Sequence, residues 1–355
     1  VDWVNTFPQA KLKKPIFMHT PRGFRNKFGK DGCLKLGRSL YGSKFAPLNW
    51  YEHLLEALLK LGFKQCPHDP CLLFRPGLMM ILYVDDAGLA APCRKDIEDF
   101  VEELQELGFD LEMEGDFTKC LGIAIDKEED GTRCMHQKGL INKIVETTKM
   151  TSCNPNFTPT AQVALGSDLE GEDWENEDWN CASIVGVSLC VSNNTRPDIA
   201  FAVSQAARFT AKPKVLHARA IKSVVRHLKG TASKGLVFTV NDDYDLVCWV
   251  DADFAGLFGR EPPSSPQSVK SRYVIEFGGI PLVWKSQLIL EMCTSTCHAE
   301  CVGLSNALQR LIPIGELVVW PLEQLELPNQ KTSIGCKVFE DNQSAYALEL
   351  SLIHI

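Results

Sequence analysis

A pair of adjacent aspartates, Asp85 and Asp86, is the feature that most constrains the fold of this 355-residue chain. The pair follows an apolar run at 79–84, which a Pro-Gly turn at 76–77 separates from an earlier apolar run at 71–74. This pattern predicts a β-hairpin with the two acids at or near the next turn. Carboxylates held so close repel each other, and a bound divalent cation offsets the repulsion. Asp is also a common turn residue, so the pair alone would be typical of an ordinary polar turn.

A third acid, Asp2, lies in an apolar stretch at 1–8 that predicts a short strand. A carboxylate in an apolar strand needs a partner or a metal ion. Because this acid is available on a separate strand, a metal site is favoured over a polar turn. We therefore expect Asp2, Asp85 and Asp86 to converge in the folded chain, although more than eighty residues separate Asp2 from the pair.

Four stretches of the first half form an ordered set: Asp2–Ala10, Leu40-Tyr41-Gly42 with Ala46-Pro47 and Trp50-Tyr51, Phe63–Cys71, and Tyr83-Val84-Asp85-Asp86. In this order they resemble successive motifs of copia-type reverse transcriptases. The resemblance implies an α+β palm in which Asp2, Asp85 and Asp86 bind two Mg²⁺ ions, with Mn²⁺ as a substitute. The implied partners are an RNA/DNA primer–template and deoxynucleoside triphosphates.

Three aromatic residues are implied to contact the substrate. Phe7, five residues after Asp2, matches the side chain whose bulk excludes the 2′-hydroxyl of ribonucleotides, and without the motif it would be assigned to the core. Tyr83 belongs to the Tyr-Val-Asp-Asp motif. Phe45 stands where the family usually has a Gln beside the nucleotide.

The second half contains a further set of stretches: Asn194–Val203, His227–Thr231, Val250–Gly256, Trp284-Lys285-Ser286, Ala299-Glu300 and Glu340–Ala345. They resemble the connecting region and the ribonuclease H of the Pol polyproteins of copia-type retrotransposons, which also contain these reverse transcriptases. The resemblance implies that Asp251, Glu300 and Asp341 come from a strand, a helix and a second strand and hold two metal ions. Asp253 and Glu340 are expected to be bystanders on solvated faces.

These assignments divide the chain into four parts. Residues 1–150 are expected to form the palm and thumb, 151–180 a linker, 181–243 a helical connection, and 244–355 an incomplete α/β ribonuclease H-like domain. Helices are predicted at 49–61, 96–107, 217–229 and about 298–311 from their apolar spacing. Strands are predicted at 119–126, 132–137, 236–240, 246–250, 273–277 and 281–285, and a last one ends at residue 340.

Charge is distributed unevenly. The net charge is −8, yet residues 1–64 contain twelve Lys/Arg and four Asp/Glu, and 199–241 contain eight Lys/Arg and no acid. One face of the 217–229 helix is basic, which predicts contacts with nucleic-acid phosphates; the alternative is a solvated helix face. Its members are Arg219, Lys222, Arg226 and Lys229.

The fourteen cysteines are scattered without a CxxC pair, which predicts reduced thiols in an intracellular protein, in the cytoplasm or nucleus and not secreted. No stretch reaches the roughly 20 apolar residues of a membrane span. Cys293, Cys297 and Cys301 recur at helical spacing with His298 among them. Such a stripe can hold zinc, although it is also typical of small residues on a buried helix face.

The expected function is RNA-directed DNA synthesis with removal of the RNA strand. Phe45, a missing Thr-Gly before Tyr273, and His298 in place of a Glu depart from the family pattern. No basic fingers segment precedes Asp2, and the chain ends before the final acidic segment of ribonuclease H. These features predict a fragment that by itself shows neither appreciable synthesis nor cleavage. The alternative is an inactive relic that at most binds nucleic acid.

Overall fold

The computed structural model describes residues 1–24, 32–160, 165–168, 170–175, 178–239, 245–254, 256, 270–325 and 334–345. The chain divides into two compact units. The first comprises Val1–Phe117 and Glu316–Gln330, and the second comprises Thr118–Gly315 and Lys331–Ile355. Both helices and sheets occur throughout, in agreement with the predicted α+β class.

The first unit combines short strands with two long helices. In chain order its elements are β1 (Asp2–Trp3), α1 (Thr6–Gln9), β2 (Phe17–His19), a 3₁₀ turn (Arg22–Phe24), β3 (Cys33–Lys35), α2 (Ala46–Lys60), β4 (Lys64–Gln65), β5 (Leu72–Arg75), β6 (Leu78–Tyr83), β7 (Asp86–Ala90), α3 (Arg94–Glu106) and β8 (Leu111–Glu112). The predicted hairpin is β5–β6, and Gly77 supplies the positive φ of 81° that its turn requires.

A six-stranded sheet organises this unit in the order β4-β5-β6-β7-β1-β8. Its core is rich in aromatic rings: the ring centroid of Trp3 lies 5.3 Å from that of Trp50 and 5.7 Å from that of Phe109. Helix α2 buries Trp50, Leu54 and Leu58 because they recur at helical spacing, as predicted. The buried Trp3 therefore anchors β1 in the core, between β7 and β8.

The predicted strand at 1–8 is wrong beyond residue 3. Asn5 adopts a left-handed conformation with φ 51°, and α1 begins at Thr6. Asn tolerates this region better than other non-glycine residues, so the chain turns there rather than extending.

The second unit begins with a small sheet and a group of helices. Its elements are β9 (Lys119–Cys120), β10 (Ile123–Lys127), β11 (Arg133–His136), α4 (Lys138–Thr147), α5 (Cys181–Asn194), a 3₁₀ turn (Pro197–Ile199), α6 (Ala200–Ala207), α7 (Val215–Gly230), β12 (Leu236–Phe238), β13 (Leu246–Asp253), β14 (Lys270–Phe277), β15 (Ile280–Leu288), α8 (Thr296–Leu325) and β16 (Cys336–Phe339). The residues of α8 from Glu316 onward count with the first unit.

The division of the chain differs from the predicted boundary at residue 150. The β9–β12 sheet joins 119–136 to residues 236–238, and β11 pairs directly with β12. Helix α4 buries Ile141 and Ile144 in the same core as α5–α7. Residues 118–150 therefore fold with the helices that follow them, because their apolar side chains have partners there.

The predicted linker at 151–180 is in part a packed segment. Leu165 and Trp179 are buried in the helical core, and the rings of Trp174 and Trp179 lie 5.3 Å apart. Because most of the segment is polar, its sequence shows no apolar pattern. Its few large apolar side chains nevertheless contribute to the core through their size.

An ionic network around the buried Arg196 and His227 joins two of the matching stretches. Arg196, only 2% exposed, donates to both carboxylate oxygens of Asp198, at 2.8 and 2.7 Å. It also donates to the Thr231 backbone oxygen at 2.8 Å, and His227 lies 2.9 Å from the Asp198 carboxylate. The end of α5 is thus tied to the end of α7.

The last part of the second unit is a four-stranded sheet in the order β15-β14-β13-β16. Strand β13 pairs antiparallel with β14 and parallel with β16. Helix α8 continues past Pro313, well beyond the predicted end at about 311. Proline usually ends a helix, which is why its length was underestimated. No helix in the described ranges is long and apolar enough to cross a membrane.

Candidate metal-binding sites

The structure brings the acids of the first unit together. Asp2 on β1 is the antiparallel pairing partner of Asp86 on β7. The Trp3 amide donates to the Asp85 carbonyl at 3.2 Å, and the Ala87 amide donates to the Val1 carbonyl at 3.0 Å. Side chains of directly opposed residues share a face of the sheet. The structure therefore brings the backbones of Asp2 and Asp86 together, and a metal ion shared by Asp2, Asp85 and Asp86 stays a prediction.

The turn that carries Asp85 is tight and strained. Tyr83 pairs with Asp86, which leaves Val84 and Asp85 as a two-residue loop. Val84 has φ 55°, a conformation that a β-branched residue rarely adopts. The indole Nε1 of the buried Trp50 donates to the Val84 carbonyl at 2.7 Å.

A fourth acid, which no sequence motif marks, adjoins this site. Glu112 on β8 pairs with Asp2 from the side opposite Asp86, so the three acids form a row across β7, β1 and β8. The row is close in the backbone, but the carboxylate oxygens of Asp2, Asp85 and Asp86 do not form a compact ligand group among the described residues.

The three candidate substrate-binding aromatics lie in the first unit. The Phe7 ring centroid is 4.8 Å from that of Tyr41, and Phe7 also packs against the core. Phe45, which precedes α2, and Tyr83, which ends β6, are each 54% exposed. The exposed rings are thus accessible to a ligand.

A second acidic cluster lies in the second unit. Carboxylate oxygens of Glu300, Glu340 and Asp341 all lie within 4.8 Å of one another, and among the described residues this is the only such group of three possible metal ligands. Glu300 is 4% exposed, and its Oε2 accepts no hydrogen bond from the described residues.

Burial raises the pKa of Glu300 to about 7, and the charges of Glu340, Asp251 and Asp341 act in the same direction. Burial also raises the pKa of Glu340 above its ordinary value. Carboxylates so close to one another in a shielded position are costly to ionise together. A divalent cation would remove that cost because it favours every ionised form, so these residues fit a metal ion.

The expectation that Glu340 lies on a solvated face is wrong. It directly follows β16, and its Oε2 is buried without a hydrogen-bond partner in the described part of the chain. Sequence alternation did not show this because β16 is short and the side chain turns toward Glu300 only in the folded sheet.

Asp251 stands apart from the group of three. Its pairing partner across β13 and β14 is Arg272, whose Nη1 lies 3.2 Å from the Asp251 Oδ2. The Arg272 guanidinium also lies over the Phe201 ring, 4.8 Å from its centroid. Asp251 is close enough to raise the Glu300 pKa, but its own charge is already compensated.

Three of the four basic side chains on α7 contact the chain itself. Arg226 Nε donates to the Asn154 carbonyl at 2.6 Å, Lys229 donates to the Cys153 carbonyl, and the Lys222 ammonium lies 4.9 Å from the Trp174 ring centroid. Arg219 is exposed. The basic face therefore holds Cys153, Asn154 and Trp174 against α7, a role that neither of the two interpretations anticipated.

The cysteine stripe does not form a metal-ligand group in the described part of the chain. Cys293, Cys297 and Cys301 are each partly buried, and burial raises the pKa of Cys293. Cys293 precedes α8, which begins at Thr296, so the three cysteines do not share one helix face. Cys293 packs instead against the small core of Ala252, Ile289 and Ala299.

Comparison with known proteins gives concordant findings. A family model for reverse transcriptase (RNA-dependent DNA polymerase) matches residues 1–162. The Retrovirus-related Pol polyprotein from transposon TNT 1-94 of Nicotiana tabacum is 28% identical over 362 residues, covering 98% of this chain and 26% of that protein. The Retrovirus-related Pol polyprotein from transposon RE1 of Arabidopsis thaliana is 28% identical over 313 residues, covering 86% of this chain and 20% of that protein.

A solved structure supports the fold. The foamy viral protease-reverse transcriptase in complex with dsDNA matches with a TM-score of 0.50 and 15% identity, over 97% of this chain and 67% of that one. The chain spans about a quarter of the tobacco polyprotein and a fifth of the Arabidopsis one.

Proposed function

Because the chain belongs to the Pol polyproteins of copia-type retrotransposons, we propose that its first unit is the catalytic palm for RNA-directed DNA synthesis. The observation that supports this function is the pairing of Asp2 with Asp86 beside the Val84-Asp85 loop. Residues more than eighty positions apart are placed on one face of the sheet, as a shared metal site requires.

Asp2, Asp85 and Asp86 would hold the divalent cations of this site. When bound, two such ions supply the charge that activates the primer 3′-hydroxyl and stabilises the leaving pyrophosphate. The hard carboxylate oxygens suit Mg²⁺ or Mn²⁺. Val84, fixed by the Trp50 indole, sets the position of Asp85. Phe7 and Tyr83 would border the nucleotide and the primer end.

The acidic cluster of the second unit favours a second function. Glu300 and Asp341 come from α8 and from the residues after β16, the helix and strand positions that ribonuclease H chemistry needs. We infer that this cluster serves metal-dependent cleavage of the RNA strand in an RNA–DNA hybrid. The partners of both sites are then an RNA/DNA primer–template and its hybrid product, and deoxynucleoside triphosphates for the first site.

Iron-directed cleavage of the full chain tests the palm. Fe²⁺ that replaces Mg²⁺ generates radicals on addition of ascorbate and peroxide, which cut the backbone beside the bound ion. We expect a cut near residue 85 that excess Mg²⁺ suppresses and that Asp85→Asn removes. The matched control is Asp99→Asn, which changes an exposed acid on α3.

The control variant should be cut like the unaltered chain. A chain with no Mg²⁺-sensitive cut near residue 85, or one that is cut equally after Asp85→Asn, would contradict the palm assignment. A relic that only binds nucleic acid would bind primer–template without this metal-dependent cut.

A further inference from the structure

A cavity of about 500 Å³ lies in the second unit, between helix α8 and the edge strand β15. The described residues that line it include two cations and four amides but no Asp or Glu, although the whole chain has a net charge of −8. Ten residues of α8, about 15 Å of helix axis, separate Arg310 in this cavity from Glu300. The cavity is therefore separate from the acidic cluster, and a concave site lined by positive charge favours an anion.

The two cations converge on one buried tyrosine. Lys285 on β15 is the antiparallel partner of Tyr273 on β14, so their side chains share a face of the sheet. Burial raises the pKa of Tyr273, while the charge of Arg310 and its hydrogen bond to the tyrosine act in the opposite direction. Neither Lys285 nor Arg310 forms an ion pair with the residues that the structure describes. Tyr273 thus holds one cation close to the other, and both remain available to an anionic group.

Four amide side chains surround the two cations. None of these side chains forms a hydrogen bond within the described part of the chain, so all four are available to a ligand. An amide both donates and accepts hydrogen bonds, and the edge of a nucleobase presents the same combination of groups. They are Asn193 on α5, Gln287 on β15, and Asn306 and Gln309 on α8.

The remaining wall of the cavity is apolar and fixed in place. Trp284 is 7% exposed, and its indole Nε1 donates to the Ser192 carbonyl at 2.8 Å, which holds the ring against the end of α5. Pro313 and Ile314 complete this wall from α8. A flat apolar ring packs favourably against such a surface. The cavity therefore combines a place for an anion with a place for a planar, hydrogen-bonding ring.

We propose that this cavity binds a nucleotide, with Lys285 and Arg310 on its phosphate and the amides and the apolar wall around its base. The volume of about 500 Å³ lies within the roughly 300–1,000 Å³ of small-molecule sites. A free nucleoside monophosphate and the 5′-phosphorylated end of a strand present the same chemistry. This inference goes beyond the proposed function and depends on neither metal site, because no acid takes part in it.

Calorimetric titration of the full chain with adenosine 5′-monophosphate tests the inference. EDTA is present throughout, so that neither metal site contributes. We expect Arg310→Gln and Lys285→Gln each to weaken binding by roughly 10- to 100-fold, as the loss of a hydrogen bond to a charged group does. Adenosine, which lacks the phosphate, and inorganic phosphate, which lacks the base, should each bind at least about 10-fold more weakly than the nucleotide.

Arg133→Gln is the matched control. Arg133 is an exposed cation on β11 of the same unit, and it does not line the cavity. Its removal should leave the affinity for the nucleotide unchanged. An Arg310→Gln chain that binds the nucleotide as tightly as the control would overturn the inference. So would an unaltered chain that does not bind it, or that binds inorganic phosphate equally well.

Hydrogen–deuterium exchange of the unaltered chain gives a measurement that does not depend on the variants folding. The nucleotide should slow exchange in 282–287 and 306–314, and the absence of protection in both segments overturns the inference.

Competition by a short single-stranded DNA distinguishes the two sources of the nucleotide. A strand that competes only when it carries a 5′-phosphate assigns the cavity to strand ends, and no competition by either form assigns it to free nucleotide. Equal competition by both forms would show binding of the strand backbone and overturn the inference. Because EDTA excludes metal ions, failure of the proposed synthesis or cleavage leaves these results unchanged.

Discussion

Val84 adopts a left-handed backbone with φ 55°, although its branched side chain disfavours that conformation by roughly 1–2 kcal/mol. Such strain persists only where the surroundings impose it. Here the surroundings include the Trp50 indole, which donates to the Val84 carbonyl at 2.7 Å, and the Tyr83–Asp86 pair that closes the loop. The Val84 backbone, directly before Asp85, is therefore both strained and held in place by its neighbours.

Trp50→Phe should reduce metal binding at the proposed palm site by more than its small loss of unfolding free energy suggests. The variant keeps an aromatic ring in the core but removes the hydrogen bond, which costs about 1 kcal/mol of unfolding free energy. Without that bond the Val84-Asp85 loop can relax, so Asp85 shifts and the Mg²⁺-sensitive Fe²⁺ cut near residue 85 should fade. Urea unfolding and the cleavage assay measure the two effects.

Tyr51→Phe is the matched control for this prediction. It also removes an aromatic donor to a backbone carbonyl, since the Tyr51 hydroxyl donates to Pro70 at 3.0 Å, away from the loop. It should leave the cut near residue 85 intact. An equally strong cut in Trp50→Phe would show that the indole does not position the loop.

At the residue scale the sequence identified acids in recognisable motifs and missed acids placed by strand register. Asp85 and Asp86 could be proposed because Tyr-Val-Asp-Asp follows an apolar strand, and Asp2 because it lies in an apolar stretch. Glu112 was missed because it is one of many acids at 96–116, and only the β1–β8 pairing sets it beside Asp2. The Asp251–Arg272 pair has the same origin, since cross-strand neighbours are far apart in sequence.

At the scale of the elements, the α5–α7 connection depends on the protonation state of Asp198. Burial would raise the pKa of Asp198, but hydrogen bonds from Arg196 and His227 and their charges outweigh burial and lower it below its ordinary value. A depressed pKa contributes stability above the unfolded-state value of about 4, and this contribution is lost as pH falls through the folded-state value.

Asp198→Asn should therefore make the free energy of unfolding depend less on pH in the acid range, which is called the acid limb below. In the unaltered chain the urea midpoint, followed by circular dichroism at 222 nm, should fall as pH decreases from about 5 toward 2. The variant should start lower and fall less over that range. Glu146→Gln, an exposed acid on α4, is the control and should keep the full dependence. An unchanged acid limb in Asp198→Asn would show that the network does not couple to stability.

The basic face of α7 makes a separate prediction. Arg226, Lys229 and Lys222 already contact three other residues of the chain, so replacing them would disturb packing as well as charge. The contacted residues are Asn154, Cys153 and Trp174. Arg219 is exposed, and Arg219→Ala isolates its effect on phosphate binding. We expect the slope of log affinity against log salt for primed template to become shallower by about 0.9 for each duplex phosphate that Arg219 neutralises. An unchanged slope would assign Arg219 to the solvated surface.

Elements with a strong apolar period were predictable, and those defined by distant partners were not. The β5–β6 hairpin and helices α2, α3 and α7 were predicted to within a few residues, because each buries a regular face. The boundary at 150 and the linker at 151–180 failed for the opposite reason. There, single side chains such as Ile141 and Trp179 join a core whose members extend along the chain to Leu228.

At the scale of the whole molecule, a net charge of −8 coexists with basic segments and with two separate acidic sites. The first site lies in the unit that contains Val1–Phe117, and the second in the unit that begins at Thr118. A divalent cation bound at each proposed metal site would stabilise both units, because it binds the folded state. The particular residues at each site decide how much of the proposed activity this chain can perform.

We expect the purified chain by itself to show neither appreciable DNA synthesis nor cleavage of the RNA strand. For synthesis, Phe45 presents a 54%-exposed apolar ring where the family resemblance implies a hydrogen-bonding amide, and phosphoryl transfer depends on polar positioning of the nucleotide. For cleavage, the Asp251 carboxylate is engaged by Arg272, so the second of two metal ions lacks a free ligand.

The assays use Mg²⁺ or Mn²⁺ with primed RNA and with an RNA–DNA hybrid. Phe45→Gln should raise synthesis above the unaltered chain if the amide is the limiting group. Turnover by the unaltered chain that disappears in Asp85→Asn or Asp251→Asn would contradict this expectation and show a working enzyme.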